Sequence, residues 1–269
     1  MIKSWTKKWF LILFLMASCS SYLVATTGEK YFKMATQAFK RGDYHKAVAF
    51  YKRSCNLRNH LACTSLGSMY EDGDSVQKDL PKAIYYHRRG CHLKGGVSCG
   101  SLGFMYFNGI GVKQNYAKAL SLSKYACSLN YGISCNFAGY MYRNAKGVQK
   151  DLKKALTNFK RGCHLKDGAS CVSLGYMYEA GLYVRQNGEQ ALNLYKKGCS
   201  LKEGSGCHNV AVMYYMGKGA PKDLDKATLY YKKGCTLGFS GSCKILEVVG
   251  KKSDNLQDDA QNDTQDDTQ

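Results

Sequence analysis

The residues best suited to covalent chemistry are cysteines, and twelve of the thirteen obey one spacing rule. Each pair has seven residues between its members, and the pairs recur every 36 residues. Two cysteines form a disulfide when their Cα atoms come within about 7 Å. We therefore predict six bridges, Cys55–Cys63, Cys91–Cys99, Cys127–Cys135, Cys163–Cys171, Cys199–Cys207 and Cys235–Cys243.

The spacing within each pair requires a turn of the chain. Residues eight apart in one continuous helix lie about 12 Å apart along its axis, too far for a bridge. Each bridge is therefore expected to join the end of one helix to the start of the next. Glycines between the cysteines, such as Gly95, are expected to supply the left-handed end of the first helix. Zinc competes as a use for paired cysteines, but structural zinc sites usually space them by two to four residues. We expect neither a metal nor a cofactor.

Serine–lysine pairs offer a second chemistry, because S-x-x-K places a nucleophile and its base one helical turn apart. The chain contains this spacing at Ser4–Lys7, Ser75–Lys78 and Ser121–Lys124. Such matches are expected by chance in a chain this rich in serine and lysine. The supporting S-D-N motif occurs only at 253–255, K-T-G is absent, and the histidines follow no zinc-enzyme motif. These patterns identify no catalytic residue.

The elements that carry the cysteines repeat with the same period. Asp and Asn are strong helix N-caps, and one stands every 36 residues, at Asp43, Asp79, Asn115, Asp151, Asn187 and Asp223. After the second cysteine of five pairs comes a Met-Tyr pair at helical spacing, as in Met105-Tyr106, which we assign to the core. A fixed period of 20 to 50 residues is typical of solenoids. The predicted fold is all-α, an αα-hairpin solenoid with one disulfide per repeat.

The charge distribution separates the body of the chain from its end. The 269 residues carry a net charge of +19, with 45% hydrophobic residues and only two prolines, which excludes collagen and wholesale disorder. Six aspartates fall within the last sixteen residues, so the preceding body is more basic still. A basic body favours polyanions or anionic surfaces, although a solvated lysine face explains it equally. The segment 251–269 is predicted to be an acidic, disordered tail.

The amino terminus predicts export. Lysines at positions 3, 7 and 8 precede a short apolar run and small residues, the pattern of a cleaved signal peptide over 1–25. The run is too short for a membrane span. We expect a secreted or periplasmic protein, and therefore no nucleic-acid partner. The alternative is a lipoprotein anchored through Cys19. The solenoid then covers 26–250, as about six αα-hairpins.

The repeat resembles a known family. The sequence L-G-x-M-Y-x-x-G-x-G, cleanest at Leu102–Gly111, resembles the Sel-one-like repeat, a relative of the tetratricopeptide repeat. With a C-x7-C pair in every unit, the chain resembles the Helicobacter cysteine-rich proteins over roughly 29–250. The resemblance implies exported, right-handed αα superhelices described as penicillin-binding proteins with weak β-lactamase activity. It therefore implies a β-lactam or a peptidoglycan-like small molecule as ligand, and some members are discussed as factors sensed by host immune cells.

A binding surface is predicted independently of that resemblance. Solenoids present a concave face, lined here by variable positions that follow the second cysteine of each pair. Aromatic and amide side chains at those positions suit a peptide, a protein or an acylamide ligand. Two functions remain open: a hydrolase acting on β-lactams, and a non-catalytic peptide- or protein-binding scaffold that acts on the host. The candidate groove residues are Phe104, Asn136, Tyr140, Tyr176, His208 and Asn209.

Overall fold

The computed structural model describes residues 26–73 and 75–248, which form thirteen α-helices and no strand. The chain divides after Tyr131 into two units, called unit 1 and unit 2. The predicted signal peptide with Cys19, and the acidic tail over 251–269, lie outside the described residues. Within the described ranges, no helix is both long and apolar enough to cross a bilayer.

Each unit is built from antiparallel helices of nearly constant length. Unit 1 contains α1 (26–40), α2 (Tyr44–Asn56), α3 (His60–Asp72), α4 (Leu80–His92), α5 (Gly96–Asn108) and α6 (Tyr116–Ser128). Unit 2 contains α7 (Gly132–Arg143), α8 (Leu152–His164), α9 (Gly168–Glu179), α10 (Gly188–Ser200), α11 (Gly204–Met216), α12 (Leu224–Thr236) and α13 (240–248). The all-α solenoid is confirmed.

The predicted N-caps start the even-numbered helices from α2 to α12. In each one an Asp or Asn side-chain oxygen accepts a hydrogen bond from the backbone N–H three residues later, as Asp151 does from Lys154 at 2.8 Å. Four of these caps also pair with a lysine, and that lysine holds the pKa of Asp43, Asp79, Asp151 and Asp223 below its usual value. A short polar side chain thus satisfies a free N–H and fixes where the helix begins.

The odd-numbered helices contribute their methionines to the core, as the Met-Tyr pattern predicts. The methionines of all five pairs are buried, and Met105, Met141 and Met177 are fully so. The glycine two residues before four of these methionines has a separate role. A Cβ on Gly139 would lie 2.6 Å from the Phe159 ring, and one on Gly175 would lie 2.7 Å from the Tyr195 ring. These glycines let a large side chain of the following helix pack against the backbone.

The disulfides lie at the corners between an even-numbered helix and the following odd-numbered helix. In unit 1 the bridges are Cys55–Cys63 and Cys91–Cys99, and in unit 2 they are Cys163–Cys171, Cys199–Cys207 and Cys235–Cys243. The bridged Cα atoms are 4.6 to 4.9 Å apart. Cys127 of unit 1 and Cys135 of unit 2 are each disulfide-bonded as well. One bridge per repeat is therefore confirmed.

The prediction that glycine forms the left-handed helix end is wrong for most corners. The left-handed residue is non-glycine in five of the six corners, at Arg58, Lys94, Asn130, Lys166 and Lys202, with φ between 62° and 66°. Gly95 has a φ of −76° and caps α5. A glycine two residues after the left-handed residue serves close approach instead: a Cβ on Gly168 would lie 2.8 Å from the Glu203 Cβ, at the next corner of the solenoid.

Candidate functional site

The face that is available for binding in unit 2 is formed by odd-numbered helices. α9 contacts both α7 and α11, so these three helices lie side by side. A polar contact crosses between two of them, because Ser173 Oγ on α9 donates a 2.9 Å hydrogen bond to Asn136 Oδ1 on α7. Buried methionine and cysteine side chains hold the opposite side of each helix in the core. The variable positions are left facing outward.

A groove opens on this face, with a volume of about 580 Å³. We call it the unit-2 groove. Its walls come from the last turn of α7, the start of α8, α9, α11, and the loops that follow α7 and α9. Its lining residues are Arg143, Asn144, Lys150, Leu152, Val172, Ser173, Tyr176, Leu182 and Asn209.

Arg143 is held in place by aromatic rings. Its guanidinium carbon lies 5.5 Å from the centroid of the Tyr176 ring and 5.7 Å from that of Phe159. Phe159 is fully buried, whereas Tyr176 is 47% exposed. Such cation–π contacts contribute about 0.5–1 kcal/mol at exposed sites. They orient the guanidinium without neutralising it, so its charge stays available to a ligand.

The groove is lined by positively charged, amide and apolar side chains. Its lining includes two cations, Arg143 and Lys150, and none of the described residues that line it is a carboxylate. Asn144 and Asn209 add amide groups, while Val172, Leu182 and the Tyr176 ring supply apolar surface. This combination can bind an extended chain, since amides pair with a peptide backbone and the cations pair with acidic side chains.

The structure places the predicted groove residues in different settings. Tyr176 and Asn209 line the unit-2 groove, and Asn136 supports its edge through Ser173. Tyr140 is 36% exposed on α7 and stacks on the Phe137 ring at 6.4 Å, outside that lining. Phe104 is 49% exposed on α5 of unit 1.

The side chain of His208 points toward α13, whereas that of its neighbour Asn209 lines the groove. Its Nδ1 lies 3.1 Å from Ser242 Oγ, and its ring packs against those of Tyr231 and Phe239. Burial lowers the pKa of this imidazole. The side chain therefore joins α11 to α13 and does not line the groove.

Seven of the nine lining residues lie outside the predicted set, and three of these seven are Arg143, Asn144 and Lys150. They fall in the last turn of α7 and in the loop after it, not at the predicted positions after the cysteine. One signal was available in the sequence. Position 143 carries arginine where the sibling repeats carry Glu71, Phe107, Glu179 and Tyr215, so it departs from every other repeat.

Unit 1 contains a second cavity of about 460 Å³ with the opposite character. Its lining is rich in hydroxyl groups and includes one carboxylate, with no cation among the described residues that form it. It is lined by Phe39, Tyr51, Thr64, Ser65, Ser68, Met69, Asp72 and Ser75.

The serine–lysine pairs do not form an enclosed site. Ser121 and Lys124 are both exposed on α6. Ser75 lines the unit-1 cavity from a loop, and Lys78 of the same pair is exposed. Ser4–Lys7 and the motif 253–255 lie outside the described residues. In the described ranges, no three His, Cys, Asp or Glu side chains are grouped to hold a metal ion.

The repeat unit matches a known family over most of the chain. The Sel1 repeat matches residues 30–59, 60–94, 97–131, 132–167, 168–202 and 204–239. The chain belongs to the Sel1 repeat family. Each matched Sel1 repeat begins in or just before an odd-numbered helix and includes the even-numbered helix that follows it.

Sequence relatives confirm the resemblance to the Helicobacter cysteine-rich proteins. The Sel1 repeat chain is 89% identical over 80 residues to HcpD of Helicobacter pylori (strain ATCC 700392 / 26695), a protein named as a candidate beta-lactamase. That match covers 30% of this chain and 26% of HcpD, so the matched segment spans about a quarter of the relative's length.

Solved structures share the Sel1 repeat fold over most of the chain. A Sel1 repeat protein from Oxalobacter formigenes matches with a TM-score of 0.72 and 23% identity, covering 80% of this chain and 86% of that one. The protective antigen c5321 of uropathogenic Escherichia coli matches with a TM-score of 0.71 and 24% identity, covering 80% of this chain and 47% of that one. At these identities the likeness concerns the fold alone.

Proposed function

We propose that this Sel1 repeat protein is a non-catalytic scaffold whose unit-2 groove binds an extended peptide segment of a partner protein. The observation that carries the proposal is the position of Arg143 on the exposed ring of Tyr176, in a groove that Asn209 also lines. An aromatic platform, a fixed cation and amide groups are therefore presented together on packed helices.

The physical basis of binding is preorganisation. Because Tyr176 orients Arg143 before any ligand arrives, less conformational entropy is lost when the guanidinium forms hydrogen bonds. Arginine and tyrosine are also the residue types that most often dominate binding energy at interfaces. The amide of Asn209 offers both a donor and an acceptor, which suits the alternating groups of a peptide backbone.

The proposed setting is outside the cytoplasm. Disulfides persist in oxidising compartments and are rare in the cytosol, and every described cysteine is bridged. We accordingly infer a periplasmic or secreted protein. This setting is compatible with a partner on the cell envelope or on a host cell.

Hydrolysis of β-lactams is the second function that the family resemblance and the name of HcpD suggest. A serine hydrolase needs its nucleophile within hydrogen-bond reach of a base and close to an oxyanion site. The exposed pair Ser121 and Lys124 on α6 provides no enclosing wall. The geometry therefore favours the scaffold.

A peptide-selection experiment tests the proposal. Purified full-length chain is used to select binders from a displayed peptide library, and the affinity of one synthetic binder is measured by fluorescence anisotropy. We expect Tyr176→Ala and Asn209→Ala to weaken binding by about tenfold or more, as for interface hot spots. Leu229→Ala is the matched control, since Leu229 is an exposed apolar residue on α12 that does not line the groove.

Two outcomes would contradict the scaffold proposal. Equal losses for Leu229→Ala and Tyr176→Ala would place binding elsewhere. Steady turnover of a chromogenic cephalosporin by the wild-type chain, abolished by a substitution in either cavity, would support the hydrolase instead.

A further inference from the structure

We propose that the occupant of the unit-2 groove is an acidic segment, and that the chain supplies one itself: residues 253–269 bind the groove in cis and compete with external acidic partners. The inference rests on the proposed function, because it identifies the charge and the source of the peptide that the groove takes.

The first step is the unneutralised charge of the groove. Five lysines of the described chain pair with carboxylates, as Lys154 does with Asp151 at 2.8 Å and Lys226 with Asp223 at 2.8 Å. No ion pair between described residues joins Arg143 or Lys150 to a carboxylate. Two cations in one concave site favour an anionic ligand, because a groove with low-dielectric walls concentrates their field.

The second step is the composition of the segment that follows the described helices. Between Ser253 and Gln269 the chain has no lysine, arginine or histidine. It carries aspartates at positions 254, 258, 259, 263, 266 and 267. The groups at 258–259, 263 and 266–267 lie three to five residues apart, which is about 10–18 Å in an extended chain. Successive acidic groups can therefore meet separate cations along a groove.

The third step is reach. The described chain ends at residue 248 on α13, which contacts α11 through the His208–Ser242 pair. Asn209, the next residue after His208, already lines the groove. Packed helices lie about 8–10 Å apart, so α7, three spacings from α13, is about 24–30 Å away from it. The ten residues from 248 to Asp258 extend to about 33–36 Å, which is enough to bring the acidic groups to Arg143 and Lys150.

Covalent attachment gives the segment an advantage over free peptides. Attachment through a short stretch of chain raises the effective concentration of the segment to the millimolar range. An external acidic peptide must then displace the segment before it binds. Both modes weaken as salt is added, since charge attraction across an open groove is screened over about 8–10 Å at physiological ionic strength.

Zero-length crosslinking tests the placement directly. Full-length chain is treated with a carbodiimide, which joins a carboxylate to an amine in contact with it, and the products are mapped by mass spectrometry. We expect an amide between Lys150 and an aspartate of 253–269, lost at 1 M salt and reduced severalfold by Arg143→Gln. Lys232→Gln with Lys233→Gln is the control, because it removes two exposed cations of α12 outside the groove. Crosslinks confined to lysines of α12, with none at Lys150, would overturn the proposal.

A competition experiment separates this inference from the proposed function. The six aspartates of the segment are changed to asparagine in the full-length chain, and a labelled synthetic peptide with the wild-type sequence of 253–269 is added in trans. We expect about tenfold tighter binding to this variant than to the wild-type chain, from removal of the cis competitor. Equal binding to both chains, still weakened by Arg143→Gln, would overturn cis occupancy and leave the scaffold intact. Absence of binding to the variant would overturn the acidic ligand itself, while library binders sensitive to Tyr176→Ala would still support the scaffold.

Discussion

The hydroxyl of Tyr195 donates a 2.6 Å hydrogen bond to Oε2 of Glu179, and this bond joins α10 to the last turn of α9. The Tyr195 ring is 1% exposed and lies against Gly175. Burial, followed by the bond to Glu179, raises the pKa of the Tyr195 hydroxyl. The same pair of positions recurs along the chain as Glu71 with His87 and as Arg143 with Phe159. The contact between the two positions is a hydrogen bond to tyrosine, a hydrogen bond to histidine, or a cation–π contact.

Removing the Tyr195 hydroxyl is expected to destabilise the protein. Tyr195→Phe keeps the ring against Gly175 but leaves the Glu179 carboxylate without this donor, which costs about 1–2 kcal/mol. Urea unfolding of the disulfide-intact chain measures the change. Glu179→Gln and the double variant complete a thermodynamic cycle, and additive effects would show that the two groups do not interact.

His87 offers the reverse test. Its Nε2 lies 3.0 Å from Glu71 Oε2, but its buried Nδ1 has no hydrogen-bond partner among the described residues. His87→Tyr removes the unpartnered nitrogen and reproduces the arrangement of Tyr195 with Glu179. We expect the free energy of unfolding to rise by about 1 kcal/mol. The swap Tyr195→His should lower it, and a loss of stability in both variants would contradict the shared geometry.

Stability is expected to fall in mildly acidic solution because of His208. Burial lowers the pKa of His208 in the folded state below its ordinary 6.5, so the unfolded chain takes up the proton first as the pH falls. This contribution is fully present above about pH 6.5 and is lost progressively as the pH falls toward the folded-state pKa. The lowered pKa values of Asp43, Asp79, Asp151 and Asp223 act in a separate window, below their ordinary 3.8.

Unfolding curves at pH 7.5, 6.5 and 5.5 check the His208 prediction. His208→Gln, which cannot titrate in this range, should show a flatter dependence of stability on pH than the wild-type chain. Identical slopes for the two proteins would rule out His208 as the source.

Replacing Ala145, a loop residue with a left-handed backbone conformation, by glycine should stabilise the protein. Ala145 has a φ of 54°, whereas Gly73, Gly109, Gly181 and Gly217 occupy the same position in the other repeats with φ between 66° and 82°. Ala145→Gly is expected to raise the midpoint of thermal unfolding, with a gain of about 0.5–1 kcal/mol. Ala180→Gly is the matched control, because Ala180 has a φ of −89° and gains nothing from glycine's freedom. A gain at position 180, or none at 145, would contradict the argument.

The sequence predicts correctly which cysteines meet at the corners between helices. It does not predict which residue of each corner adopts the left-handed backbone conformation. The cysteine spacing identified which residues meet, and the Asp and Asn caps identified where the even-numbered helices begin. The prediction from the glycines between the cysteines is wrong because glycine is favoured for two reasons, a positive φ and close approach of a neighbouring atom. The sequence alone does not distinguish these two reasons. Lys94 adopts the left-handed conformation, while Gly168 leaves room for Glu203 of the next corner.

The candidate groove shows the same division. Variation at an outward position predicts Tyr176 and Asn209 as groove residues, and both line the unit-2 groove. The sequence pattern does not predict Arg143 and Lys150 as groove residues, since their place in the groove depends on how a loop and a helix end pack beside α9. His208 was selected by position, yet its ring turns toward α13 because aromatic neighbours and Ser242 are available there.

The sequence by itself determined the all-α repeat, its 36-residue period, the helix starts and the spacing of the disulfides, because each depends on residues close together in the chain. The tertiary structure decided which side chains share a groove, which of them keep an uncompensated charge, and which glycines are needed for contact. Those properties depend on distances between residues that lie tens of positions apart, and only packing sets such distances.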